Sequence, residues 1–258
     1  MRRTTESTFQ FVLKAVYDLL PTPQNLNIWY RTEEHKCQLC GGIGTLDHIL
    51  TGCKTALTQG RYRYRHDRVL KELAYWVDEK RKAVNSTPLK KRSWIKFLKA
   101  GEKAKGVQRS IRESVLNVSR DWRIQVDLPE TPLRIPEHIA ATLQRPDIIL
   151  TSEAVKQLVV IELTVPRESR VALSTEMKRT KYEEGVASAA RMKGWRTIIY
   201  TVEMGCRGFP AQSMGRMLAE IGYQGRQKKM ILQKLSSVTE EASQYIWKTS
   251  RFKSWKTE

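Results

Sequence analysis

Between Phe9 and Leu20 the apolar residues Phe9, Val12, Leu13, Val16, Tyr17 and Leu20 fall at the three-and-four spacing of a helix with one buried face. Pro21-Thr22-Pro23 ends that entry helix, because two prolines remove backbone N–H groups that further turns would need. Residues 35–54 follow no period of either kind and are rich in Gly and Cys, which predicts a small knot rather than a long element. Helical spacing returns over 61–84 and 93–120, and Asn85-Ser86-Thr87-Pro88 between them reads as a linker, with a domain boundary nearby.

From Trp122 to Leu128 the pattern alternates, as in a half-buried strand, and a loop carrying Pro129, Pro132 and Pro136 follows. Two β-rich runs, Ile148 to Leu150 and Gln157 to Val165, flank the turn-forming Thr151-Ser152-Glu153-Ala154 and predict a hairpin. A helix over 171–193, a strand over 197–203 and a helix over 212–221 complete an α/β unit in the order αβββαβ, with helices packed on a mixed sheet. After Gly225 the chain reads as one basic amphipathic helix. The expected organisation is thus a helical entry segment (1–34), the Cys-rich knot (35–54), a basic helical linker (55–88), the α/β domain (89–225) and a basic C-terminal helix (226–258).

A hydrophobic content of 40% across 258 residues is enough for one substantial core with a smaller module attached. Charge changes the picture more: 46 Lys+Arg against 27 Asp+Glu gives a net +19, which favours a polyanionic partner. Nucleic acid, DNA or else RNA, is the first candidate, and an anionic membrane surface is the competitor. A membrane is not expected, since no apolar run approaches the roughly 18 residues of a spanning helix and the N-terminus has no signal-like apolar stretch. Three of the four cysteines lie within seventeen positions, which suits a metal site in a reducing, intracellular or nuclear compartment better than a disulfide framework.

Cys37-x2-Cys40-x7-His48-x4-Cys53 offers four soft or borderline ligands, the number a closed tetrahedral zinc site requires. Gly41, Gly42 and Gly44 allow the tight turns that bring both ligand pairs to one ion. So short a segment has little core of its own, and Zn²⁺ would supply its folding free energy. Buried cysteines beside a chance histidine are the competing reading. His35 is a rival ligand but reads as a surface histidine, and the distant Cys206 reads as a small core hydrophobe.

In Arg61-Tyr-Arg-Tyr-Arg-His-Asp-Arg68, Arg61, Arg65 and Arg68 share a helical face with tyrosines interleaved. The stripe is either a surface that neutralises phosphates and stacks on bases or an ordinary solvated face. Arg145-Pro-Asp147 and Leu158-Val-Val-Ile-Glu162-Leu-Thr-Val165 carry a sharper signal. Glu162 sits in the middle of an apolar strand, where an unpaired carboxylate costs several kcal/mol, unless it is neutralised or holds a metal. Asp147 and Glu162 on adjacent strands are the hard oxygen ligands that Mg²⁺ takes at a phosphodiester. The next helix brings Lys178 and Lys181, three positions apart, with Tyr182 beside the latter. A salt-bridged structural carboxylate and solvated lysines are the alternative.

Pro146-Asp147, Glu162-Leu-Thr and Lys181-Tyr182 resemble the PD-(D/E)XK nuclease pattern, in the variant where the lysine has moved from the strand to the following helix. That variant is typical of early-branching, site-specific non-LTR (LINE-type) retrotransposon polyproteins. These also carry, after the reverse transcriptase, a Cys-Cys-His-Cys knuckle and an Arg-His-Asp motif, similar in order to Cys37, Cys40, His48, Cys53 and Arg65-His66-Asp67. The resemblance implies a restriction-endonuclease-like core behind a zinc-binding module. In it Asp147 and Glu162 would bind the catalytic Mg²⁺, Lys181 would be the catalytic lysine with Lys178 as its rival, and Arg61, Arg65, His66 and Arg68 would contact nucleic acid. The implied reaction is nicking of DNA for target-primed reverse transcription. The chain departs from the pattern at Thr164, where a lysine stands in the simplest form, and it has no YxDD-like motif, so it is not expected to polymerise DNA itself. A non-catalytic nucleic-acid-binding module on the same scaffold is the main alternative, and a zinc module for protein contacts is a third.

Overall fold

The computed structural model describes residues 5–88 and 114–255, with only the backbone described for 171–175. Helix α1 (Glu6–Val16) starts at Thr5, whose side chain accepts from the Thr8 N–H, and α2 (Pro23–Ile28) is capped the same way by Thr22. The buried face of α1 differs from the expected one. Phe11 and Ala15 turn inward with Leu20, whereas Phe9, Leu13, Val16 and Tyr17 face solvent. A π-helical turn at His48–Gly52 and the short α3 (Lys54–Thr58) lead into α4 (Arg61–Ser86). Gly60, left-handed at φ 74°, makes the bend between α3 and α4.

Strands β1 (Arg123–Val126), β2 (Ile148–Ser152), β3 (Gln157–Thr164) and β4 (Arg196–Glu203) form one mixed sheet in sequential order. The first three pair antiparallel, with Ile148 opposite Ile161, and β4 lies parallel to β3. The parallel step is made by α5 (Val171–Tyr182), a π-helical turn at Glu183–Ala187 and α6 (Ser188–Met192). After β4 come α7 (Gln212–Ile221) and α8 (Gly225–Thr249). Most of the helix expected over 93–120 falls outside the described residues; Val115–Val118 is a 3₁₀ turn.

Because side chains alternate along β3, its two faces meet different helices. Val159, Ile161 and Leu163 join Val69, Leu73 and Val77 of α4, Met214 and Leu218 of α7, and Ile231 and Leu235 of α8 in one core. Leu158 and Val160 face the other way, onto Tyr182, Val186, Ala190 and Trp195. Each such Leu, Ile or Val stabilises the fold by about 1.5–3 kcal/mol when fully buried. A third cluster joins Phe11, Ala15 and Leu20 to Leu46, Ile49, Leu50 and Ile246, docking the N-terminal module on the last turns of α8.

One expectation changes here: 55–88 is helical, but α4 supplies one wall of the sheet's core rather than serving as a linker. The helix expected after Gly225 is α8, along which Ile231, Leu235, Ala242 and Ile246 recur at helical spacing and are all buried.

Candidate functional site

The Cys-rich knot is closed by a bridge between Lys36 and Ile43, inside which Cys37 N–H donates to Gly42 O (2.6 Å) and Gly41 N–H to Cys37 O (2.8 Å). Gly41 is left-handed at φ 73°, and a Cβ on Gly42 would stand 3.2 Å from the His48 ring, so the turn needs both glycines. Cys37 Sγ lies 4.0 Å from Cys53 Sγ, and Cys40 Sγ lies 3.0 Å from His48 Nε2. All four ligand atoms fall within 4.8 Å of one another. A disulfide needs sulfurs about 2.05 Å apart. A zinc tetrahedron with bonds near 2.3 Å has edges of about 3.8 Å, so the cluster is spaced for a metal such as zinc. His35 is exposed and outside the cluster, and Cys206 is buried in the third hydrophobic cluster.

The first turns of α4 grip this knot. Tyr62 Oη accepts from Cys53 N–H (2.9 Å) and lies 3.0 Å from Ile49 O. Arg65 is buried, and its guanidinium donates to Leu50 O (3.0 Å), to Ser243 Oγ of α8 (3.2 Å) and to Val165 O just past β3 (3.3 Å). Arg61, 0% exposed, donates to Thr249 O (2.8 Å) and Phe252 O (2.7 Å) and lies over the Trp255 ring. Arg61 and Arg65 therefore depart from both readings of the stripe, since they are buried and their guanidinium groups donate inward, apart from Arg65 Nε, which has no partner. Arg68 is 40% exposed, 3.4 Å from Glu241 and against Tyr64.

His66, next in the same motif, turns toward the sheet. The β2–β3 register sets Asp147 opposite Glu162, one pair beyond Ile148 and Ile161. Asp147 Oδ2 accepts from Leu163 N–H (2.7 Å), and Asp147 N–H donates to Glu162 Oε2 (3.3 Å). His66 Nε2 stands 3.4 Å from Asp147 Oδ2, and its Nδ1 stands 3.1 Å from Asp67 Oδ1. Lys178 of α5 is ion-paired with Glu162 on the other side. Lys181 instead is exposed, with its ammonium 5.0 Å from the centre of the Tyr182 ring, and Tyr182 Oη donates to Arg145 O (3.2 Å). Of the two lysines, Lys178 is the one brought to the carboxylates.

Glu162 is only 4% exposed; burial, then the charge of Asp147, pushes its carboxyl above the usual range despite Lys178. Burial opposes charge on His66, but hydrogen bonds and attraction from Asp147 and Asp67 outweigh it and raise the imidazolium to about 10. The site thus holds two carboxylates between two cations. Thr164 Oγ1, two residues beyond Glu162 on the same face, is buried without a hydrogen-bond partner. Two facing carboxylates with a spare hydroxyl alongside are the hard oxygen donors that Mg²⁺ takes. Asp67 is the site residue that sequence reasoning left unassigned; it sits in the quoted Arg-His-Asp triplet, but nothing in a triplet says that its histidine faces Asp147.

No protein-family model matches the chain, and no curated protein matches it. Among the described residues no helix is long and apolar enough to cross a membrane.

Proposed function

We propose that the chain is a metal-dependent endonuclease of the restriction-like class. Within that class we assign it to the zinc-knuckle and endonuclease region of a site-specific non-LTR retrotransposon polyprotein, which nicks target DNA in the nucleus for target-primed reverse transcription. The observation that carries the reading is the facing of Asp147 and Glu162 across the β2–β3 ladder with Lys178 against Glu162. The element order around them, helix α4, strands β1 to β3, helix α5 and strand β4, is the order this nuclease class uses.

Asp147 and Glu162 would hold Mg²⁺, which when bound lowers the pKa of its water and offsets charge on the phosphate. The Leu163 N–H and His66 fix one carboxylate of the pair, and Lys178 fixes the other. Lys178 also supplies a positive charge for the pentacovalent phosphate as water's oxygen joins phosphorus. The P–O3′ bond breaks and the 3′ oxygen takes up a proton, leaving the 3′-hydroxyl from which a polymerase extends. The net charge of +19 favours holding the DNA.

A supercoiled-plasmid nicking assay with Mg²⁺ and with EDTA tests this. Asp147→Ala and Glu162→Ala each abolish nicking while DNA affinity holds or rises, since a negative charge near phosphate is lost. Lys178→Ala cuts the rate about 10²–10³-fold, as loss of a transition-state donor does, and Lys181→Ala leaves it within about threefold by the same comparison. Wild-type nicking by either carboxylate variant sinks the assignment. One observation favours the second reading, a non-catalytic nucleic-acid-binding scaffold: Lys178 and Glu162 already form the ion pair that a purely structural carboxylate would make. On that reading the plasmid is nicked neither with Mg²⁺ nor with EDTA, and Glu162→Ala unfolds the protein.

A further inference from the structure

With Arg61 and Arg65 turned inward, the contacts with nucleic acid lie elsewhere, and the ends of α2 and α8 provide a built place for them. A cleft of about 230 Å³ opens between Pro23 and Leu26 of α2, Cys37 of the knot, and Trp247, Lys248 and Arg251 at the end of α8. It is smaller than the roughly 300 Å³ at which pockets for drug-sized ligands begin, which suits a single planar ring system. No Asp or Glu lines it; Lys248 Nζ reaches Ser7 Oγ (3.4 Å), Arg251 stands beside the Phe252 ring, and neither has an ion-pair partner among the described residues.

Trp29 caps α2 one turn beyond Leu26, on the same face, and is 40% exposed; Tyr30 beside it is 97% exposed. Trp247 is backed by Phe11, ring centres 5.7 Å apart, so one wall is a supported aromatic surface. The basic rim is also held in place. Arg61 donates to Thr249 O and Phe252 O, and Gln59 Nε2 donates to Lys253 O (2.7 Å), so the segment carrying Lys248 and Arg251 is tied to the start of α4. A rim ordered before binding loses less entropy when a ligand arrives.

We propose that this cleft binds an unpaired base of single-stranded nucleic acid, with Lys248 and Arg251 on the flanking phosphates and Trp29 stacking on a neighbouring base. Apolar walls, aromatic rings and unpaired cations together match a strand whose bases are free to stack, and a paired duplex has none to offer. The inference rests on nucleic acid being the partner but not on cleavage.

Fluorescence anisotropy with a labelled 20-nucleotide dT strand, the matching RNA and a 20-base-pair duplex, each across a salt series, tests it. Lys248→Ala/Arg251→Ala weakens single-strand binding about tenfold and lowers its salt slope by about 1.4, two contacts at about 0.7 each. Trp29→Ala, checked by its thermal melt to be folded, weakens it at least about fivefold, as losing one stacked base does. Lys228→Ala/Lys229→Ala, the same charge removed from the far end of α8, has the smaller effect, and duplex affinity changes less throughout. Equal losses from the two double variants, unchanged single-strand affinity, or equal competition by polyglutamate overturns the proposal. A chain that binds single strands as described but never nicks overturns the nuclease reading alone; one that nicks while ignoring these variants overturns the cleft alone.

Discussion

The cysteine-histidine knot draws its four ligands from seventeen consecutive residues, while the carboxylate site gathers Asp147, Glu162, Lys178 and His66 from four separate elements. The knot's ligand atoms have mainly one another nearby, at the spacing of a metal. At the carboxylates, the protein's own cations already offset the charge, and the surrounding sheet is packed on both faces. On the proposed reading the first site would depend on its ion to be folded, and the second would keep its shape without one and be left open for chemistry.

Metal removal is the sharpest way to break that contrast. A zinc chelator, or Cys37→Ser/Cys40→Ser, should reduce bound zinc from about one per chain to none and cost several kcal/mol, because binding and folding of such knots are coupled. A loss of about 4 kcal/mol lowers Tm by about 8–16 °C in a protein of this size, whereas stripping Mg²⁺ alone moves it by about 2 °C or less. Elemental analysis with calorimetry reads both numbers. An unchanged Tm in the cysteine variant would erase the distinction.

Next in size is the joint between the two regions. Arg65 by itself donates to the knot, to the chain beyond β3 and to α8, so Arg65→Met leaves two buried acceptors and one half-buried acceptor short of a donor. At about 1–3 kcal/mol for each unsatisfied group, a loss near 3 kcal/mol is expected after relaxation. Arg68→Ala removes a half-exposed ion pair and a hydrogen bond to Tyr64 Oη and should cost about 1 kcal/mol. Urea denaturation separates the two. Equal costs would mean that Arg65 is no staple.

Strand order and the β2–β3 hairpin are legible in the sequence because alternation and turn residues are local signals: β2 begins at Ile148 and β3 at Gln157, where the pattern changes. The knot is legible for the same reason. The direction of the α4 stripe is less so, although the clue is present. Arg61 and Arg65 continue at four-residue spacing into Val69, Leu73 and Val77, which puts both arginines on the buried face. Charge hides that continuity when polar and apolar residues are read as separate classes. The choice between Lys178 and Lys181 depends on how α5 crosses the sheet, and the approach of His66 to Asp147 depends on α4 packing beside β3. Neither is encoded within a local window.

The smallest effect tests whether the carboxylate site carries its own counter-charge through His66. Its folded pKa, about 10, lies above the ordinary 6.5, so the folded protein holds that proton more tightly than the unfolded chain does. The resulting stability is fully present below about pH 6.5 and is lost as pH rises toward 10. Wild type should therefore exceed His66→Ala by about 1–2 kcal/mol at pH 6, the size of a partly solvated charge-assisted hydrogen bond. The advantage should shrink toward zero near pH 10. Glu162 is also pushed upward, so its own titration would bend the curve in the same direction. Repeating the comparison in a Glu162→Gln background removes that contribution and leaves Asp147 and Asp67 to hold the imidazolium. If the advantage of His66 in that background is the same at pH 6 and pH 10, the histidine is neutral. Lys178 would then be the only one of the two cations that offsets the carboxylates, and the contrast with the cysteine knot would narrow accordingly.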